Sequence, residues 1–300
     1  MGLAFAGEGL FTPVVYAGLL WGWRNISIGV AAAALIAALL WRAPLGLAQQ
    51  VEQGMGWLVA MQLTLFALAG ATILLLAALD LLRDRDADAL LLFLWVAGTF
   101  LFAAVVNWTV NERSLLPMAP AVGILLMRRI DSRRGIPRQA VDFRLFWPLL
   151  PAALLALLVA AADCRLADSA RTAAYQLHEE AGGFSGPFWF HGHWGFQYYM
   201  ELLGAKPVDL ISPDLNPGDL MAIPSNATNL IQLPPEIVRL RKVIELHPNH
   251  FLSTMDRATG SGFYASVWGP LPFAVGPIPP ERYLLIMLVD PASNARAPGK

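Results

Sequence analysis

The chain has 300 residues and a mass of 32.6 kDa; 56% of its residues are hydrophobic and 14% charged, and its mean hydropathy is +0.52. A soluble domain carries about 25% charged residues, so this composition excludes a wholly water-soluble chain. A net charge of −1 excludes a basic field for nucleic acid, and the single cysteine, Cys164, excludes a disulfide framework or a Cys-rich metal site.

Up to Arg165 the charges are bunched, and uncharged runs separate the bunches at 9–23, 25–41, 53–79, 89–111, 114–127 and 145–162. A membrane span needs about 20 apolar residues. Runs 53–79, 89–111 and 145–162 qualify outright. Runs 9–23 and 25–41, joined at Arg24-Asn25, read as a helical hairpin. Run 114–127 reaches span length only by borrowing Asn111 to Arg113. The pattern predicts an α-helical polytopic membrane protein of about six spans over residues 1–165, multi-pass in the inner (plasma) membrane.

Among the 21 basic residues only Lys206, Lys242 and Lys300 are lysines, so the sidedness rests on arginine. Residues 128–144 carry Arg128, Arg129, Arg133, Arg134, Arg138 and Arg144, a cluster that stays cytoplasmic. Alternation from there puts Arg24, Arg83 and Arg85 inside as well, and leaves Arg42 and Arg113 for the short outer loops. Residue 1 and everything beyond about 165 are then expected outside. With no positive charge before Arg24, either a short uncharged tail translocates, or the chain is the latter part of a larger membrane protein.

Beyond 165 the pattern changes. All five His and most of the 22 Pro lie here, which disfavours long helices. Residues 168–181 predict a helix entered at Asp168 or Ser169 and stopped by Gly182-Gly183, and Gln197–Leu203 predicts a shorter one. Phe188–His191, Asp219–Ile223, Val238–Glu245 and Tyr283–Val289 read as strands. Residues 166–300 are therefore expected to form a small extracytoplasmic α/β domain.

Three stretches carry chemistry. Asn111-Glu112-Arg113, ahead of Leu115-Leu116-Pro117-Met118-Ala119-Pro120, sets an acid and a permanent cation at the mouth of a helix, a seat for phosphate. The plain alternative is an interfacial Arg reaching lipid headgroups. Phe188-Trp189-Phe190-His191-Gly192-His193-Trp194-Gly195-Phe196-Gln197-Tyr198-Tyr199 packs aromatics around two histidines. On a strand, His191 and His193 share a face, which suits a metal, but zinc needs at least three ligands and His178, His247 and His250 stand at no recognised spacing. Aromatic faces with polar tips also suit sugar or an interfacial belt, and a domain core is the third reading. The third stretch, Gly260-Ser261-Gly262-Phe263-Tyr264 with Trp268-Gly269-Pro270-Leu271-Pro272-Phe273, reads as a loop on the membrane surface or packed back on the spans. No nucleophile elbow, Walker loop or dinucleotide fingerprint occurs.

The run Asn111 to Pro120 resembles the Arg-Tyr-Leu-Leu-Pro-x-x-Pro stretch of bacterial GT-C glycosyltransferases, the membrane enzymes related to protein O-mannosyltransferases and aminoarabinose transferases. Gly192 to Glu201 resembles the start of their outer domain, and Gly262-Phe263-Tyr264 with Trp268 to Pro272 a later part of it. The likeness covers residues 8–290 and corresponds to the C-terminal half of such enzymes. It implies transfer of a sugar from a polyprenyl-phosphate donor to an acceptor on the outer face. By position, Arg113 with Glu112 would hold the donor phosphate, and His193, Trp194, Tyr198 and Tyr199 would line the acceptor or lipid-head region. The family uses an early outer-loop acid as base; the earliest candidates are Glu8 and Glu52, neither in the family's motif, so the catalytic residue stays unassigned. No metal site is assigned, and a divalent cation is the one cofactor left open. Expected partners are the lipid-linked sugar, membrane lipid and a further membrane chain, with no nucleic acid. The rival readings are a non-catalytic membrane protein or subunit whose outer domain binds a partner, and a metal enzyme built on His191 and His193.

Overall fold

A computed structural model describes residues 1–42, 56–134, 143–209, 211, 213–230 and 233–291. The expected outer acid Glu52 and the expected inner Arg138 lie outside these residues. The chain divides into two units: residues 1–161 with 251–277, and residues 162–250 with 278–300. Residues 251–277, placed by the sequence with the C-terminal domain, thus cluster with the helices.

In the first unit, α1 (Gly2–Gly9), α2 (Thr12–Val15) and α3 (Ala17–Trp21) precede α4 (Trp23–Arg42), α5 (Gly56–Asp84) and α6 (Ala87–Leu101). A π-helical turn, Phe102–Val106, prolongs α6. Then come α7 (Glu112–Leu115), a 3-10 turn at Leu116–Met118 and α8 (Ala119–Arg134). Gly56–Asp84, Ala87–Val106 and the later α9 (Leu149–Glu180) are long and apolar enough to cross a membrane. Only 6% of the apolar window of α9 is buried, as suits a helix facing lipid.

The other three predicted spans are not confirmed. Run 9–23 is broken because Pro13 restarts a helix and Gly22, at φ +78°, turns the chain before α4. Helix α4 covers the whole of run 25–41 in 20 residues, and among the described residues its apolar stretch is Ser27–Leu39. Run 114–127 is interrupted at Pro117 by a 3-10 turn, so that α7 precedes it and α8, with Pro120 in its first turn, follows.

Close helix packing holds α1 on α5. A Cβ on Gly7 would stand 2.0 Å from the carbonyl oxygen of Phe66, and one on Gly70 would stand 2.0 Å from that of Leu3. Only glycine at both positions permits this backbone contact. Around it, Phe5, Ile73, Leu92, Val96, Leu115, Met118 and Leu125 form a buried core that also takes in Ala265.

In the second unit, the C-terminal part of α9 packs on a five-stranded sheet. Its strands are β1 (Phe188–Phe190), β2 (Lys206–Pro207), β3 (Leu220–Pro224), β4 (Val238–Leu246) and, after two short strands β5 (Leu252–Ser253) and β6 (Ala274–Val275) of the first unit, β7 (Glu281–Leu288). The order is β2-β1-β3-β7-β4. β1 runs parallel to β2 and β3, whereas β7 is antiparallel to β3 and β4. Helix α10 (Trp194–Leu202) makes the crossover from β1 to β2. The expected helix start at Asp168 or Ser169 is absent, because nothing between 163 and 168 breaks a helix and α9 runs through. The Ser169 hydroxyl instead bonds Leu166 O at 2.7 Å and Tyr283 OH at 3.1 Å. Ala174, Leu177, Phe190, Phe196, Met200, Leu285 and Tyr283 fill the core of this unit.

Candidate active site

Helix α7 is set by its cap. Asn111 has extended backbone (φ −148°), and its Oδ1 accepts from the Ser114 N–H at 3.0 Å and the Ser114 hydroxyl at 3.1 Å. This satisfies an amide that a helix start otherwise leaves open. Asn107, just past the π-helical turn, donates from Nδ2 to Ser114 Oγ at 2.9 Å. The aromatic segment near 264 is fastened to the same loop: Ala265 N–H donates to Val110 O at 3.1 Å, and the Ser266 amide and hydroxyl donate to Thr109 Oγ1 at 3.2 and 2.9 Å. Tyr264 lies 5.0 Å from the ring of Trp108. The Arg113 guanidinium stacks over Phe263, 5.0 Å from its centroid. Two stretches named in the sequence, 111–120 and 262–272, therefore meet within one unit.

The acid partner differs from the sequence reading. Among the described residues no ion pair joins Glu112 to Arg113. Glu112 points to the start of the chain, where a Cβ on Gly9 would stand 3.0 Å from its Oε1. Glu8, on α1, is 3% exposed, and among the described residues no hydrogen bond of good geometry reaches either of its carboxylate oxygens. Burial, then the nearby Glu112, push the Glu8 carboxyl well above its ordinary value, against a smaller opposite pull from the Phe273 backbone amide. Glu112 keeps one edge open to solvent in a recess crowded by protein atoms, and that desolvation raises its carboxyl to about 7. Glu8, an acid of no recognised motif, thus joins the site on α1, whose Gly9 lies against Glu112. No local signal marks it beyond a lone charge before a long uncharged run.

The raised acids make stability depend on pH. Between the ordinary carboxyl value and about 7, the folded chain binds more protons than the unfolded chain, so stability present at acid pH is lost as pH rises. Glu8→Gln is expected to flatten this fall and to raise the unfolding temperature at about pH 8 more than at about pH 5. Thermal unfolding of the reconstituted protein at both values checks it; an equal shift at the two would contradict the buried-acid assignment.

In the second unit, β1 ends at Phe190, so His191 and His193 lie beyond the strand and strand alternation does not place them. His191 is buried, and its Nε2–H donates to Asn229 O at 2.8 Å. Its pKa is lowered by burial first, with a smaller push from His193, against the raising effect of that carbonyl. The His193 ring lies 5.9 Å from His191 and 6.1 Å from Trp194, and its buried Nε2 has no partner among the described residues. No group of three or more His, Cys, Asp or Glu side chains among the described residues could hold a metal ion. Trp194 and Tyr198 are 53% and 62% exposed, and Tyr199 packs between Tyr198 at 5.1 Å and Tyr175 at 6.3 Å. Together with Gly195 they face Cys164, Ala167, Asp168 and Arg171 of α9 across a cleft of ≈ 370 Å³. Sequence reading missed this α9 face, although Cys164, Ala167, Asp168 and Arg171 follow the i, i+3, i+4, i+7 spacing of one helical stripe.

No protein-family model matches the sequence, and no curated protein and no solved structure matches it.

Proposed function

We propose that this chain is a membrane glycosyltransferase of GT-C type that moves a sugar from a polyprenyl-phosphate donor to an acceptor hydroxyl on the outer face of the inner membrane. The observation that carries the reading is the grouping of Glu8, Glu112 and Arg113 beside the aromatic segment at 263–268. The charge asymmetry of the arginines supports the outward placement of this group, and the motif resemblance at 111–120 supports the substrate class.

The chemistry follows from the groups present. The acceptor oxygen attacks the anomeric carbon and the bond to phosphate breaks, its electron pair leaving with the phosphate. Arg113, permanently charged and steadied on Phe263, opposes that developing negative charge. Glu112, with a carboxyl near 7, takes the hydroxyl proton, as a base matched to neutral pH should. Burial pushes the Glu8 carboxyl well above its ordinary value, which disfavours a second charge beside Glu112. The proposed partners are the lipid-linked sugar, membrane lipid and a further membrane chain.

The test is transfer by the full chain in nanodiscs, supplied with polyprenyl-phosphate mannose, glucose and aminoarabinose. Arg113→Ala is expected to lower transfer about 10²–10³-fold. Unchanged transfer would remove the phosphate role, and absence of transfer from every donor by the unsubstituted chain would overturn the reading.

A further inference from the structure

We infer that the cleft between α9 and α10 is a pyranose-binding subsite, with Trp194 and Tyr198 as its stacking faces and Asp168 and Arg171 as its paired hydroxyl contacts. The inference deepens the transfer reading, on which the role of this sugar as part of the acceptor rests.

Its geometry is that of two matched faces. Cys164, Ala167, Asp168 and Arg171 make one stripe along α9, and Trp194 and Tyr198 line the opposite side of the cleft. Gly195 lies between them, and a Cβ there would meet nothing within 4 Å, so the floor is open. The cleft, at ≈ 370 Å³, is open to solvent and mostly apolar, so it would take one face of a ring rather than enclose it.

The chemistry selects the ligand. A pyranose has an apolar C–H face and a rim of hydroxyls that each donate and accept. Exposed indole and phenol rings match the first. The ion pair of Arg171 Nη2 with Asp168 Oδ1 offers donors beside an acceptor and so matches the second. An anion would find Asp168 in its way, and a cation would find Arg171. Both charged side chains are about half exposed, so they are free to re-pair with a ligand.

Trp194 supplies an independent observation. Its φ is +54°, the left-handed region that costs an L side chain roughly 1–2 kcal/mol. Glycine would relieve this, yet a tryptophan with half its surface in solvent occupies the position. Strain kept at this residue marks a position that the surrounding structure over-determines.

The position also fits. Asp163 is the first charge after the apolar run of α9, and Arg171 lies about 12 Å further along the helix at 1.5 Å per residue. A sugar held there lies near the headgroup layer.

Binding is measured apart from transfer. The full chain in nanodiscs is titrated with the methyl glycosides of glucose, mannose and galactose and with their disaccharides, and read by saturation-transfer NMR. We expect saturation strongest on the ring C–H protons of at least one probe. Gly195→Leu, which fills the floor, and Trp194→Gly, which removes the ring while relieving the backbone, should each weaken that binding about tenfold or more. Their unfolding temperatures should stay near that of the parent, which separates a lost site from a lost fold. Asp168→Asn should weaken binding without changing the saturated protons. Failure of every probe to bind, or binding untouched by Gly195→Leu and Trp194→Gly, would overturn the inference. Sugar binding in a chain that shows no transfer would leave the subsite standing and overturn only the enzymatic reading. Transfer with no change in acceptor KM in Gly195→Leu would do the reverse.

Discussion

Glu112→Gln is expected to lower sugar transfer by about 10²–10⁴-fold while donor binding changes little, because it removes the proton acceptor and leaves Arg113 in place. The parent chain should show transfer rising with pH through about 7, the region where Glu112 becomes ionised. The sign is fixed by the role: a base acts in its ionised form, so activity is low below that value and reaches a plateau above it. Glu112→Asp retains a carboxylate on a shorter arm and should recover part of the loss. The Gln variant should lose the rise altogether. Initial-rate measurements across the pH range, with donor binding followed separately, decide the matter. A Gln variant with a parental rate and an unchanged pH profile would take Glu112 out of the chemistry.

Gly70→Ala is expected to give the largest loss of stability, on the order of 3 kcal/mol, because the new methyl carbon would stand 2.0 Å from the Leu3 carbonyl. The obstacle is backbone and cannot rotate aside. Helix α1 must withdraw from α5 and carries Glu8 with it, so transfer should fall although no charged group has been altered. Gly98→Ala on α6 is the control, since a Cβ there meets nothing within 4 Å and alanine favours the helix. Thermal unfolding of both variants in nanodiscs is the measurement. If Gly70→Ala unfolded at the same temperature as Gly98→Ala, the close contact of α1 with α5 would not exist.

The membrane character was legible because it depends on composition over long windows. Runs 53–79, 89–111 and 145–162 hold no charge over a bilayer's width, and helices long enough to cross it occur at all three. The strands near 188, 220, 238 and 283 were likewise legible, because short apolar runs there are bounded by Gly and Pro. Local breakers decided where the prediction of further spans departed from the structure. Pro13 and Gly22 split one run, and Pro117 interrupts another, since uncharged length says nothing about hydrogen-bond continuity.

The amino-acid order alone determined Arg113 as a cation at a helix mouth, the aromatic richness of 188–199 and 262–273, and the absence of Cys-rich metal chemistry. Those properties belong to residue types and to neighbours in the chain. Only tertiary structure decided that Glu112 faces Glu8 rather than Arg113, that Arg113 rests on Phe263, and that the stripe from Cys164 to Arg171 faces Trp194 and Tyr198. Glu8 and Glu112 are 104 positions apart, and a pair so distant leaves no periodic or local mark. Helix α1, seated on α5 by a backbone contact that two glycines permit, brings Glu8 near Glu112, whose own carboxyl is raised by desolvation.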